Sequence, residues 1–377
     1  APCIWATFRP NTGFSVRHCY RMVKGVFQGK NMNRITIKDI ARQLRVSTTT
    51  ISNALNDKPG VGMVVKGKVV QMARDMGYQP NYFAKGLVSK QSFAIGLIVA
   101  SIADPFFSEL ALGVNEKVSD LGYTMMLFNT SYNFENEKKS IEMLKSRGAD
   151  GIILSTILQN DPNIDLLNQM QIPFVLVNRL ILNPKKASQI DSVSVDNYGG
   201  SYKAARHLCR LGHTKIAVIA GDMEASSAIL LTQGSKDAFA EFGITIQPDL
   251  FVECGFNRKK AYQAALDILV RKNRPTAFLI QGDNMALGVR EAAYECGLKI
   301  PEDLAIVGFD DISISSLAGI ELTTVSQNQY KMGMTSAEML INKIKNKNRS
   351  GSSSKIELEA ELIIRNSCGF NLKGYVR

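Results

Sequence analysis

The sequence predicts an α-helical helix-turn-helix module followed by an α/β core of two doubly wound, parallel-sheet lobes. Three observations carry this. The positive charge is lopsided: residues 1–32 have net charge +5, residues 33–90 have +7, and the remaining 287 have −1. Two short amphipathic stretches with helix-start signals lie between Thr36 and Asn56. From Ser92 onward, apolar runs alternate with helical patterns, and 377 residues exceed what a single core holds. A basic head on a neutral body is the footprint of a module that meets phosphates.

Residues 1–32 show no clean period and mix aromatic with basic residues. They read as a poorly ordered extension ahead of a natural start at Met32, with a basic arm on DNA as the alternative. Thr36-Ile37-Lys38-Asp39 has the form of a capping box, and Ile37, Ile40, Ala41 and Leu44 follow on one helical face. Arg45-Val46 makes a tight turn. Ser47 then caps a second helix that buries Ile51, Ala54 and Leu55 and turns Thr48, Thr49, Ser52 and Asn53 outward. Short hydroxyl and amide side chains suit base-edge hydrogen bonds in a major groove, whereas a plain helical hairpin would need no such set. A third helix, Met63 to Met76, places Val65, Val69, Met72, Ala73 and Met76 on one face, and Gly77 ends it. The module so bounded spans 33–79, and 80–91 reads as a hinge helix and linker.

In the body, 92–377, strands are expected at Phe93–Ala100, Tyr123–Asn129, Asp150–Ile157, Ile172–Asn178, Lys215–Gly221, Thr276–Gly282 and Leu304–Asp310. A last strand is expected over Ile356–Arg365, after a surface loop at Asn346–Lys355. The number of strands calls for two lobes, hinged where the chain crosses between them, with a ligand cleft at the carboxyl ends of the strands.

Thr36–Ala41, Val46–Ser52 and Gly77–Leu87 together resemble the LacI family of bacterial regulators, whose pattern is roughly T-I-x-D-[IV]-A, G-V-S-x-x-T-[VI]-S and G-Y-x-P-N-x-x-A-x-x-L, with its spacing preserved without gaps. The resemblance runs from about Ile35 to Arg365 and implies a periplasmic-binding-protein-like sensor behind the head. It implies that Thr48, Thr49 and Asn53 read bases and that Ser47 and Thr50 contact phosphate. Thr36, Asn56, Tyr78 and Asn81 complete the DNA-contacting set. It further implies a hinge helix over 80–88 whose Leu87 wedges into a base step, flanked by Lys85 and Val88. In the body it implies that Phe106 and Phe107 stack on an effector, that Phe256 is the opposing wall, and that Asp283 and Arg179 are polar anchors. The partners so implied are operator DNA, a sugar or related metabolite, and a second copy of the chain.

This sequence departs from the family pattern in four places. Leu44-Arg45 replaces Ala-Gly in the turn, and Gly62 and Val65 replace Ser and Thr around the third helix. Leu231 stands where the family carries the Arg of an R-x-x-G motif ending here at Gly234. A ligand carboxylate or diol would then lose a bidentate partner unless another Arg reaches the site.

Other chemistries find no support in the residues. Gly62–Lys68 spells most of a phosphate loop, but Val69 replaces the Ser/Thr and no strand precedes it. Six scattered cysteines form no C-x-x-C pair, and His207 and His213 lack a nucleophile motif or metal-ligand partner, so structural roles are expected and no cofactor or metal is called for. No run approaches the ~18 apolar residues of a membrane span. The expectation is a cytoplasmic, nucleoid-associated regulator rather than an enzyme or a secreted solute-binding protein.

Overall fold

The computed structural model describes residues 35–78, 91–155, 162–346 and 353–373. The extension 1–32 and the segment 80–88, with Asn81, Lys85, Leu87 and Val88, lie outside the described residues. The chain divides into two compact units, Ala1–Asn81 and Tyr82–Arg377.

The first unit is built from α1 (Ile37–Leu44), α2 (Thr48–Leu55) and α3 (Met63–Asp75). The Asp39 carboxylate accepts from the backbone N–H and the hydroxyl of Thr36, at 2.9 and 2.7 Å. This reach-back satisfies an orphan donor at the helix start, and the hydroxyl bond holds the Asp39 carboxyl below its usual range. Ile40, Ala41, Ile51, Ala54, Val69 and Ala73 form the core shared by the three helices. Arg45 turns the chain from α1 to α2 in the left-handed conformation, φ 53°. One expectation fails. Val65 is 37% exposed, because α3 reaches the core only from Val69 onward and its first turn contributes nothing to it. Gly62–Lys68 holds the cap and first turns of α3, not a strand-to-helix loop.

The second unit begins with β1 (Ala94–Val99), α4 (Pro105–Asp120), β2 (Thr124–Asn129), α5 (Phe134–Ser146), β3 (Gly151–Leu154), α6 (Pro162–Gln169), β4 (Phe174–Val177), α7 (Pro184–Ala187) and β5 (Ser192–Val195). There follow α8 (Asn197–Arg210), β6 (Ile216–Ala220), α9 (Ser226–Glu241), β7 (Phe251–Glu253), α10 (Arg258–Leu269), β8 (Ala277–Ile280), α11 (Asp283–Glu295), β9 (Ala305–Val307) and β10 (Thr324–Ser326). The chain then runs back through α12 (Gln329–Lys345) and β11 (Lys355–Leu358) before a final β12 (Glu361–Ile363). One sheet, all parallel, has the order β11-β5-β4-β3-β1-β2; the other, also parallel, has the order β7-β6-β8-β9. The seven expected runs each contain a strand. β5, β7 and β10 were not anticipated, being three or four residues long, and Ser192 and Ser194 of β5 are buried despite their polarity.

The expected single strand Ile356–Arg365 is in fact two. β11 adds in parallel to the first sheet beside β5, and β12 pairs antiparallel with β10 beside the second sheet. The break between Leu358 and Glu361 is one of three places where the chain passes between the lobes. The others are at Asp196, where β5 of the first sheet gives way to α8, and between β10 and α12. α12 packs on α4, β3 and β4, and α8 packs on α9, so each lobe is completed by chain arriving from the other.

The helix seams recur in form. A Cβ at Gly113 of α4 would lie 2.0 Å from the Tyr330 carbonyl oxygen of α12, and one at Gly234 of α9 would lie 2.1 Å from the Tyr198 carbonyl oxygen of α8. Backbone meets backbone there, and only glycine permits it. The same tyrosines reach along the seam to acids, Tyr198 to Asp237 at 2.8 Å and Tyr330 to Glu116.

Candidate functional site

Two sites are described, one in each unit. In the first, α2 presents Thr48 and Thr49 fully exposed and Asn53 half-buried at the edge of the core, while Ile51 and Ala54 behind them are buried. The face is rigid because its start is capped: the Ser47 hydroxyl accepts from the Thr50 backbone N–H at 3.0 Å and lies 2.9 Å from the Thr50 hydroxyl. Two other members of the expected contact set are engaged locally. The Thr36 hydroxyl donates to Asp39, and the Asn56 amide donates to the Ser52 carbonyl at 2.8 Å, closing the far end of α2. Tyr78 packs half-buried against the three-helix core.

In the second unit, a cavity of about 30 Å³ lies between the lobes. Its first-lobe wall comes from Asp104, Phe106 and Phe107 after β1, Tyr132 after β2, and Asn178 and Arg179 after β4. The opposing wall comes from Asn197 after β5, Phe256 after β7, Gln281 after β8, Asp310 after β9 and Gln327 after β10. Each of these follows the carboxyl end of a strand, where a doubly wound sheet opens a crevice. Phe106 and Phe107 meet edge to face with centroids 5.1 Å apart. Phe256 lies against Gly221, where a Cβ would come 2.1 Å from its ring.

Of the five residues expected to meet an effector, Phe106, Phe107, Arg179 and Phe256 line this cavity. Asp283 does not. Its carboxylate, fully buried behind the wall, accepts from the Thr324 and Ser315 hydroxyls at 2.7 Å each and from the Ile312 N–H at 3.2 Å. The long-range pairing of β10 beside β9 brings those donors in and turns Asp283 into a structural knot. Burial pushes its carboxyl up to about 6.

The acids that reach the cavity are Asp104 and Asp310, and neither was singled out from sequence. Asp104 caps α4 by accepting from the Phe106 N–H at 3.1 Å. Asp310 ends the expected strand run Leu304–Asp310. Its backbone is held at φ 130°, and its carboxylate accepts from Gln327 at 2.5 Å and from the Asp283 N–H at 3.1 Å. Burial raises both carboxyls, Asp310 the more because Asp283 and Asp104 stand near. Their place at or just after the carboxyl ends of expected strands was the available signal; which acid lines the cavity was not.

Arg179 and Leu231 meet at this cavity. Leu231 lines the cavity at 2% exposure, and the guanidinium beside it comes from the opposite lobe. Arg179 Nη1 donates to the Ser227 hydroxyl at 2.5 Å, and its Cζ lies 5.0 Å from the Phe256 ring centroid. The next residue repeats the cross-lobe link, the Leu180 N–H donating to Ser226 at 2.8 Å. Burial lowers the Arg179 pKa.

His213 Nδ1 lies 2.9 Å from the Thr276 hydroxyl and His207 Nε2 lies 3.2 Å from Cys368 Sγ, both remote from the cavity wall.

Two family profiles match the chain. Residues 36–81 match "Bacterial regulatory proteins, lacI family", and residues 92–366 match "Periplasmic binding proteins and sugar binding domain of LacI family". The chain is 32% identical over 337 residues to the HTH-type transcriptional regulator DegA of Bacillus subtilis (strain 168), covering 89% of this chain and 98% of that protein. It is 33% identical over 333 residues to the HTH-type transcriptional repressor PurR of Pasteurella multocida (strain Pm70), covering 88% and 98%. Among solved structures, the lac repressor dimer bound to operator and the anti-inducer ONPF aligns with a TM-score of 0.77 at 26% identity, covering 89% of this chain and 99% of that one. The transcriptional regulator CelR in complex with cellobiose aligns at 0.67 and 25% identity, covering 89% and 100%.

Proposed function

The chain belongs to the LacI family of bacterial regulatory proteins, and on that premise we propose that it is a cytoplasmic, non-enzymatic repressor that binds a near-palindromic operator as a homodimer under control of a small-molecule effector. The observation that carries the DNA-binding part is the capped α2 with Thr48, Thr49 and Asn53 outward on a fully packed core. Thr48, Thr49 and Asn53 read base edges, Ser47 and Thr50 set the helix on phosphate, and the exposed Lys38, Arg42, Lys58 and Lys68 supply sequence-independent attraction. Dimerisation draws on apolar surface of the first lobe: Leu112 on α4 is 62% exposed and Leu127 on the sheet-edge strand β2 is 42% exposed.

The effector, a sugar or related metabolite, occupies the cleft between the lobes. Small-molecule pockets run to about 300 Å³ or more, so the present 30 Å³ admits a ligand only if the lobes rotate about the three crossing segments and Arg179 releases Ser227. That rotation is the two-state element through which ligand alters operator affinity.

Selection of genomic fragments by the purified protein, followed by anisotropy titrations at several salt concentrations, tests the proposal. A near-palindromic site, bound with affinity that falls steeply with salt, is expected. Asn53→Ala should cost about 1–3 kcal/mol on that site and little on unrelated DNA. Absence of any preferred duplex overturns the proposal.

A further inference from the structure

The cleft wall is unevenly furnished with hydrogen-bonding groups. Three side-chain amide oxygens that line it, Asn178 Oδ1, Asn197 Oδ1 and Gln327 Oε1, are buried without a partner, on residues 7%, 2% and 4% exposed. Two of these amides have their orientation fixed by their own NH2 groups: Gln327 donates to the Asp310 carboxylate at 2.5 Å and Asn197 to the Val195 carbonyl at 3.3 Å. Reversing either would set oxygen against oxygen, so the oxygens, not the NH2 groups, are the atoms left unpaired at this wall. Asp104 and Asp310 line it from opposite lobes, Asp104 already accepting from the Phe106 N–H and the Asn284 amide, and Asp310 from Gln327 and the Asp283 N–H. Against these acceptors stands one buried donor without a partner, Arg179 Nε, whose guanidinium is otherwise committed to Ser227 and covered by Phe256.

Charge follows the same bias. Among the described wall residues, Asp104 and Asp310 are opposed by Arg179 as the one cation, and Asp222 and Asp283 add negative charge close behind. A buried acceptor left unpaired costs about 1–3 kcal/mol, and a buried carboxylate costs more, so the best occupant supplies donors and positive charge. The aromatic faces of Phe106, Phe107 and Phe256 are compatible with a cationic ring substituent.

The geometry points to an effector that is a small polyhydroxylated molecule bearing an amino group, and to exclusion of its carboxylate and phosphate counterparts. This rests on the effector reading above and narrows it: hydroxyls meet the three amide oxygens, and the ammonium sits between Asp104 and Asp310. Burial and the neighbouring Asp283 and Asp104 raise the Asp310 carboxyl, and an ammonium at that place relieves the repulsion.

Calorimetric titration of the full-length protein with matched sets tests it: glucose, glucosamine and glucuronate, and the galactose and mannose counterparts of each. In at least one set the amino sugar should bind about tenfold tighter than the neutral sugar, and the uronate should bind more weakly than either. Asp310→Asn, with its fold verified by circular dichroism, should bring the affinity for the amino sugar down to that for the neutral sugar; a tenfold preference that survives the change overturns the assignment. Tighter binding of uronates, or equal binding of neutral and amino forms, overturns this inference and leaves the effector reading standing. Absence of binding by every member of every set overturns both.

Discussion

Gly234→Ala and Gly67→Ala are the same chemical change in two helix interiors, and the structure assigns them opposite signs. A Cβ at Gly67, in α3, would meet no atom within 4 Å. Replacing a helical glycine by alanine then yields its full propensity gain, about 1 kcal/mol. A Cβ at Gly234 would lie 2.1 Å from the Tyr198 carbonyl oxygen and 3.0 Å from its carbon. Ordinary carbon–oxygen contact begins near ~3.3 Å, so α8 and α9 would have to part by about 1 Å along a seam that runs the length of both helices. Overpacking of that kind costs about 1–3 kcal/mol; because backbone cannot yield as a flexible side chain does, the upper part of that range applies, and a net loss of up to about 2 kcal/mol is expected after the propensity gain. The displacement also has a functional consequence, because Tyr198 follows Asn197 of the cleft wall and Gly234 follows Leu231 by one turn. Urea unfolding monitored by circular dichroism separates the two variants. Gly67→Ala should raise the midpoint of the transition belonging to the reading head, and Gly234→Ala should lower that of the body. A Gly234→Ala midpoint at or above the parent's would refute the claim that backbone contact, rather than helix propensity, governs this position.

Arg45 occupies a left-handed turn at φ 53° and ψ 41°, so Arg45→Gly should stabilise the reading head by about 1 kcal/mol in the same urea assay, at the expense of one surface cation. Asp283, raised by burial to about 6 from 3.8, contributes stability that is complete below about pH 4 and lost as pH rises through about 6. The unfolding free energy of the parent relative to Asp283→Asn should therefore fall across that window and level off above it. Leu231→Arg would bury a second guanidinium beside Arg179 and should cost about 3 kcal/mol or more. Adding Arg179→Leu, which moves the cation to the opposite lobe, should recover part of that loss, and a neutral effect of the single change would disprove crowding at this wall.

The reading head was legible residue by residue. Capping at Thr36 and Ser47, the apolar spacing of Ile40, Ala41, Ile51 and Ala54, and the polar exterior of α2 all follow from interactions within four residues of each other. Val65 shows where that reasoning stops. Its position on the helical stripe was right, but burial needs a neighbour, and the core begins only at Val69.

The body divides along the same line. Apolar runs and helical periods are imposed by local geometry and solvent, so the alternation of strand and helix, the existence of two lobes and the placing of a cleft at strand ends could all be read from residue order. Short polar strands such as β5, and the splitting of the final strand into β11 and β12, arise from pairing with segments 16 or more residues away in the chain and leave no local period. The choice of site acid is of this second kind. Asp283 and Asp310 both lie just beyond the carboxyl end of a strand, and residue type alone cannot rank them. Ser315 and Thr324, brought in by long-range packing, consume the first carboxylate and leave the second facing the cavity. Arg179 likewise meets Ser227 and Phe256 only because the two lobes face each other. Secondary structure is set by neighbours in sequence, whereas the direction in which a buried polar group points is set by whichever distant donor satisfies it first.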